Sequence, residues 1–529
     1  MKLPLRPLRW ISRWVALKSD RSESSRMTAS ATPRVRTPRR APIDIDAAEF
    51  RRLGHDLVDR IADLLSTLPE RRVTAGLSPQ DVREVIGEGP LPQQGESADA
   101  ILDHATRVLA HNSLFNGHPR FWGFITSSPA PIGMLGDLLA AAINPNGGAF
   151  VLSPVATEIE RQTIRWIAEL LGYPTTCGGI MVSGGNMANM VALLAARRAR
   201  AGWDVRQEGL GGAARPLVMY ASGETHTWLQ KAADLFGFGL AAIRWIDTDA
   251  EQRMRVPALE QAIQEDRTAG RAPFLVVGTA GTVSTGAVDP LVDVAAICRK
   301  HDLWFHVDGA YGAPAALLAE ASADLKAISL ADSIAVDPHK WLYAPLEAGC
   351  TLVRDPQHLH DAFAFHPRYY AFADGGSIEP PTNFHEYGPQ NSRGFRALKV
   401  WLALRQVGRS GYERMIRDDI DLARAMYDAV ARHPDLQPFT CQLSIVTFRY
   451  VPPGVDRRDP GVQEHLDDIN KRIVERLQLG GELFVSNAVI GGRYLLRACI
   501  VNFRTNRDDV EAVPEIVARV GAQVHEELQ

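Results

Sequence analysis

The chain has 529 residues, 46% of them hydrophobic and 23% charged, with a formal net charge of −4. That length supports two or three domains around a large core, and the composition is that of an ordinary globular protein. The near-neutral balance gives no reason to expect nucleic acid as a partner. No apolar run approaches the roughly 20 residues of a membrane span, so no stable membrane association is expected.

Residues 1–40 carry eleven Lys or Arg against two acids, with Ser, Thr and Pro clustered between Ser19 and Pro42. The piece Leu8–Leu17 is amphipathic enough for a membrane surface or a targeting peptide, but it lacks the apolar core and cleavage site of a secretory signal. Residues 1–45 are read as a basic, disordered extension and set aside. Order begins near Ile43. Asp46 followed by Glu49 resembles a capping box, and Phe50, Leu53, Leu57, Ile61 and Leu64 recur at helical spacing. This helix, over 46–66, has an apolar face ahead of any core and suits packing against a second subunit. Residues 78–110 continue as helix and loop, and 46–129 is read as an N-terminal helical dimerisation segment.

From 130 to 398 helices alternate with short apolar runs. Helices are predicted over 153–171, 186–201, 227–236, 257–266 and 289–301. Strands are predicted at Gly179–Val182, Leu217–Ala221, Phe274–Gly278, Trp304–Val307 and Ser333–Val336. Apolar runs without polar alternation, separated by helices, indicate a mostly parallel sheet covered on both faces. Residues 356–395 contain the breakers Pro367, Gly375, Gly376, Pro380, Pro381 and Gly388; so long an irregular stretch inside a compact domain is usually functional. A helix from Leu398 to Val407 leads into a small α+β section over 399–529. Its strands are expected at Ile445–Tyr450 and Tyr494–Val501, and its helices at 411–432, 461–478 and 507–527. The expected class is α/β, a large sheet domain between a helical N-terminal segment and a small C-terminal α+β domain.

In parallel sheets ligands bind beyond the carboxyl ends of the strands. Four such ends carry polar residues with compatible roles. Ser183-Gly184-Gly185-Asn186 opens a helix, where backbone N–H groups and the helix dipole favour an anion. Thr225-His226 places an imidazole able to stack on a planar ring or to bond a substrate. His306-Val307-Asp308-Gly309-Ala310-Tyr311 puts a carboxylate at a strand end, able to hold a proton on a ring nitrogen. Asp337-Pro338-His339-Lys340-Trp341 supplies an amine. The chain has only eight lysines against fifty arginines, and lysine alone can lose its proton and condense with an aldehyde. An anion cradle, a ring-facing imidazole, a buried carboxylate and an amine are together what pyridoxal 5′-phosphate requires. The five cysteines (Cys177, Cys298, Cys350, Cys441, Cys499) stand singly, without metal-ligand spacing, so no metal is expected. They read as buried thiols of a reducing, cytoplasmic setting.

From about residue 45 onward the chain resembles the group II pyridoxal-phosphate decarboxylases, which act on aromatic amino acids, tyrosine, histidine or glutamate. The Asp-Pro-His-Lys-Trp and His-Val-Asp-Gly-Ala-Tyr blocks carry the likeness. It implies an aspartate-aminotransferase-like fold with a mostly parallel seven-stranded sheet, and a homodimer whose sites are completed across the subunit interface. It also implies that Lys340 forms a Schiff base with the cofactor, Asp308 pairs with the pyridinium nitrogen, and His226 and Ala310 face the two sides of the ring. Gly185, Asn186 and His339 would belong to the phosphate end, Gly184 and Asp337 would also bind the cofactor, and Thr282 and Asp289 would flank it. Relatives carry Ser or Ala near Asn186 and a second threonine at Val283. Tyr369, in a mobile catalytic loop over about 363–392, falls where decarboxylases hold the tyrosine that protonates the substrate carbon; aldehyde synthases have phenylalanine there. Trp122, Phe124 and Ile125 match the side-chain pocket, and Gly148 replaces a pocket phenylalanine of the aromatic enzymes. The resemblance implies decarboxylation of an L-amino acid, aromatic first and acidic or diamino as alternatives. An aldehyde synthase, another carbon–carbon lyase, an aminotransferase and a non-catalytic binding protein are the competing readings.

Overall fold

The computed structural model describes residues 41–365, 381–457 and 459–529. Contacts divide the chain after His55. In the short unit before that point Asp46 begins helix α1 (Ala47–Thr67), its Oδ1 accepting from the N–H groups of Ala48 (2.8 Å) and Glu49 (2.9 Å).

The large unit, Asp56–Gln529, begins within α1 and continues with α2 (Pro79–Ile86), α3 (Ala98–Asn112), α4 (Pro131–Ile143) and α5 (Pro154–Leu170). Ser78 and Asp81 cap α2 reciprocally. A seven-stranded sheet follows, built from β1 (Gly178–Val182), β2 (Leu217–Ser222), β3 (Ile243–Ile246), β4 (Ala272–Thr279), β5 (Trp304–Asp308), β6 (Ser333–Val336) and β7 (Gly349–Val353). Its order is β1-β7-β6-β5-β4-β2-β3. Only β7 runs against its neighbours, pairing antiparallel with both β1 and β6. Every residue of β1, β2, β5, β6 and β7 is buried, which is why these strands read as unbroken apolar runs. Helix α6 (Gly185–Arg200) leaves the end of β1 directly.

A second sheet of four antiparallel strands holds β8 (Leu436–Gln442), β9 (Ile445–Tyr450), β10 (Ser486–Ile490) and β11 (Arg493–Cys499), in the order β10-β11-β9-β8. It buries Phe448 and Leu496 against Ile473 and Val517 of the helices Gln463–Gly480 and Val513–Glu527.

The five strands expected in the large sheet and the two in the small one are all present, as is the mostly parallel architecture. Three expectations change. The helices expected at 398–407 and 411–432 form one element, Ala397–Arg432, bent at Gly408, whose φ of +66° is readily available to glycine. The helix expected over 507–527 is two, Arg507–Glu511 and Val513–Glu527, the second carrying Pro514 in its first turn, where no N–H is needed. Cys298, Cys350 and Cys499 are buried thiols, whereas Cys177 and Cys441 are only half-buried. Among the described residues no helix is long and apolar enough to cross a membrane.

Candidate active site

Strands β1, β2, β4, β5 and β6 all point the same way, so their carboxyl ends meet along one edge of the sheet. A cavity of about 690 Å³ opens there. The end of β1 brings Gly184, Gly185 and Asn186 to it, β2 brings Glu224 and His226, and β4 brings Thr279 and Val283. Strand β5 adds Asp308, Ala310 and Tyr311, and β6 adds Asp337, His339 and Lys340. All four sequence blocks therefore converge, although they lie up to 157 residues apart (Ser183 to Lys340).

Each group is held from behind. The Asp308 carboxylate, 6% exposed, accepts from Trp228 Nε1 (2.8 Å) and from the Ala310 N–H (3.2 Å). His306, inward-facing on β5, links the sheet to α6. Trp304 Nε1 donates to Ser333 Oγ, whose hydroxyl bonds His306 Nδ1; His306 Nε2 donates to Asn189 Oδ1, and Asn189 Nδ2 donates to Gly185 O. This pattern assigns a neutral imidazole, in keeping with burial that pushes His306 down to about 4. The network fixes the first turn of α6, whose leading N–H groups have no intrahelical acceptor. Gly184 there has a φ of +144°, and a Cβ on it would stand 3.3 Å from His339 Cε1.

His226 is lowered by burial, with Asp308 pulling the other way. A neutral ring is suited to stacking or to bonding a substrate. Burial also lowers His339, whose Nδ1 meets the Ala348 carbonyl at 2.7 Å. Lys340 Nζ lies 3.1 Å from Asp337 Oδ2. The turn that carries it is pinned by Ser127 Oγ to His339 O (2.8 Å), by Trp341 Nε1 to Asp419 (2.8 Å) and by Tyr343 Oη to Asp419. Trp341 stacks on Tyr311 at 4.9 Å.

Pyridoxal phosphate fits this arrangement. Among the described residues Asp337 Oδ1 and Thr279 Oγ1, both buried at the cavity, have no hydrogen-bond partner, and a bound polar group would supply one. The amine, the acid, the imidazole and the helix end stand in one cavity.

Several sequence expectations need correction. Asp289 is fully buried, and its carboxylate accepts from the Met254 and Thr279 N–H groups (2.7 and 2.8 Å); burial raises it to about 6. It ties the end of β4 to the preceding loop and does not line the cavity. Thr282 bonds Thr285 (2.9 Å) and the Ala287 N–H (3.1 Å), so its hydroxyl is engaged within its own turn. Thr279, the last residue of β4, lines the cavity instead. Trp122 is not a pocket wall. Its backbone pairs with Phe484 and Cys499, extending the small sheet, and its ring is buried in that sheet's core with Nε1 on Thr505 Oγ1 (3.0 Å). Phe124, at a φ of +53°, turns outward and is 58% exposed; of the three expected pocket residues only Ile125 lines the cavity. Gly148 answers to close packing, because a Cβ there would stand 2.1 Å from the Asn391 carbonyl oxygen. Tyr369 lies outside the described residues. Glu224 had no signal in the sequence beyond its place two residues before His226; burial raises it, and Ser284 is its side-chain partner.

Comparison with known proteins agrees with this chemistry. The family model described as the pyridoxal-dependent decarboxylase conserved domain matches residues 79–451. The aromatic-L-amino-acid decarboxylase of Bacillus atrophaeus is 34% identical over 469 residues, which cover 88% of this chain and 94% of the relative. Tyrosine decarboxylase 2 of Arabidopsis thaliana is 31% identical over 470 residues, 86% of this chain and 84% of the relative. The crystal structure of Oryza sativa TDC with PLP and tryptamine superposes with a TM-score of 0.83 at 29% identity, covering 92% of this chain and 99% of that one.

Proposed function

Since the chain belongs to the family of pyridoxal-dependent decarboxylases, carboxy-lyases that use pyridoxal 5′-phosphate, we propose that it converts an aromatic L-amino acid to the amine and CO2. The observation that carries this is Lys340 Nζ in the same cavity as Asp308, His226 and the first turn of α6. Bound there, the cofactor supplies an aldehyde for amines and a conjugated ring that takes up the electrons released with CO2.

Lys340 would hold the cofactor through its amine, which stands in the cavity 3.1 Å from Asp337. Asp308 keeps a proton on the ring nitrogen, and its own two N–H donors keep it in place for that task. His226 and Ala310, both on the cavity wall, would cover the two faces of the ring. Gly184, Gly185, Asn186, Asp337 and His339 would surround the phosphate end, and Thr279, in register with Asp308, would line the cavity beside it. Tyr369 protonates the substrate carbon as general acid, a step worth about 10²–10⁴-fold.

The aromatic choice is supported by the relatives and by apolar Ile125, Val283 and Leu346 on the cavity wall. Glu224 and Glu347 on the same wall disfavour an acidic substrate side chain. A panel of the twenty L-amino acids should give CO2 and amine in equal amounts, fastest with an aromatic one. Aldehyde, ammonia and oxygen uptake in place of amine would mark an aldehyde synthase, and release from a diamino substrate alone would overturn the specificity.

The proposed function includes a homodimer. Leu135, Leu138, Leu139 and Ile143 on α4 are half exposed or more, as are Val151, Leu152 and Val155 just beyond it. An apolar patch of this kind favours a second copy. The division at 130–398 and 399–529 is supported by the four-stranded sheet, which forms apart from the seven-stranded one, and a cytoplasmic setting by five unbridged cysteines. Light scattering should give twice the 58.0 kDa chain mass, and Leu138→Asp with Leu139→Asp should shift it to monomer; a monomeric wild type would refute the dimer.

A further inference from the structure

Asp337 is an acid in a place suited to an anion. Its carboxylate, 1% exposed, packs on the first turn of α6, where a Cβ on Gly185 would stand 2.7 Å from Oδ2. That turn is where the proposed function puts the cofactor's phosphate, and the role inferred for Asp337 rests on that placement. Oδ2 is 3.1 Å from Lys340 Nζ, while Oδ1 is buried without a hydrogen-bond partner among the described residues.

The other titratable groups facing this carboxylate carry little charge. His339 Nε2, from the same turn, is 3.7 Å away, and burial lowers that imidazole. His226, from the loop after β2, feels Asp337 and is likewise lowered by burial. Cys350 of β7 is a buried thiol raised well above its ordinary value, so it stays neutral. Helix α6 adds only its N–H groups. Lys340 is therefore the counter-ion of Asp337 when no cofactor is bound.

Loading the cofactor changes both sides of this balance. With the cofactor bound, Lys340 would be directed to its aldehyde and away from Asp337, and a phosphate monoester would bring a charge of about −1.5 to −2. A carboxylate and a phosphate dianion at contact distance in a buried site do not both stay ionised. We infer that Asp337 takes up one proton from solvent as the cofactor binds, and that the resulting Oδ1–H donates to a phosphate oxygen. No covalent bond of the cofactor changes in this step; one proton moves from water to the carboxylate. Cofactor affinity is thereby coupled to pH.

The test is calorimetry on the full-length chain stripped of cofactor, at pH 8, in buffers of different ionisation heat. Pyridoxal phosphate and phosphate-free pyridoxal are titrated into wild type and into Asp337→Asn. The difference between the two ligands cancels the protons exchanged at Lys340. Wild type should take up about one more proton with pyridoxal phosphate than with pyridoxal, and Asp337→Asn should show no difference. Asp337→Asn should also bind pyridoxal phosphate at least as tightly. Relative to it, the wild-type dissociation constant should rise about tenfold per pH unit above neutrality, the slope that one linked proton dictates. Equal uptake for both ligands in wild type, or the same excess in both proteins, overturns the inference; so does loss of binding in Asp337→Asn. Failure of wild type to bind either ligand would instead sink the site assignment on which it rests.

Discussion

Lys340→Ala should eliminate CO2 release and the visible absorption of bound cofactor together, with the far-ultraviolet spectrum unchanged. The fold should survive because the turn is anchored by other groups. Ser127, Asp419 and Tyr412 hold His339, Trp341, Tyr343 and Leu342, and none of these contacts involves the Lys340 side chain. The variant does lose the ion pair to Asp337. Removing one partner of a fully buried pair costs about 3–5 kcal/mol; the cost here is smaller, since Lys340 remains 22% exposed. The catalytic loss is of another order. Without the amine the cofactor is no longer fixed beside Asp308 and His226, and oriented groups in such sites are worth effective molarities of about 10⁵–10⁸ M. Lys340→Arg should fail equally, because a guanidinium keeps its proton and cannot condense with an aldehyde. A visible cofactor band that persists in Lys340→Ala would refute the role of this residue.

The sequence made the chemistry more legible than the geometry around it. Polar residues that end apolar runs are conspicuous, so Asp308, Asp337, His339 and Lys340 could be placed at strand ends without any contact information. The strands themselves were legible because both faces are covered. Strand β3 was not, since only Ile243 and Ile246 are buried, while Arg244 is half-buried on Asp266 and Trp245 is exposed. Strand β7 escaped notice because it returns antiparallel after a turn, with no helix before it to set the alternating rhythm. Helix α4 carries exposed leucines on what would normally be a polar face, which blurs the amphipathic period by which a helix is recognised. Trp122 was misplaced for a related reason. An aromatic residue next to a predicted pocket says nothing of which side of the chain it takes, and two backbone hydrogen bonds to the small sheet decide that here. Arg497 shows the same limit. In β11 it looks like an ordinary outward-facing arginine, yet it is 2% exposed, with Nη1 on Phe124 O and Ser486 Oγ (both 3.0 Å).

Asp308→Asn should leave the visible cofactor band in place, because Lys340 is intact, but lower kcat by about 10²–10³-fold. The carboxylate is buried and is directed at the cavity by two donors, Trp228 Nε1 and the Ala310 N–H. An amide of the same shape keeps the packing and loses the charge. One of its ends, the NH2, must also face an N–H that formerly met an oxygen, which loosens the side chain. The size of the effect follows from the loss of one partner of a buried, charge-assisted pair, about 3–5 kcal/mol, with each 1.36 kcal/mol worth a factor of ten in rate. The upper part of that range is not expected, since the amide carbonyl still accepts from one donor. Because the proton on the ring nitrogen matters most when electrons move into the ring, kcat and kcat/KM should fall together while KM changes little. That signature separates Asp308 from a residue that merely supports binding, whose loss would raise KM. It also distinguishes this variant from Lys340→Ala, which loses the spectrum as well as the rate. An Asp308→Asn enzyme that keeps kcat within threefold of wild type would show that the ring nitrogen is served by another group.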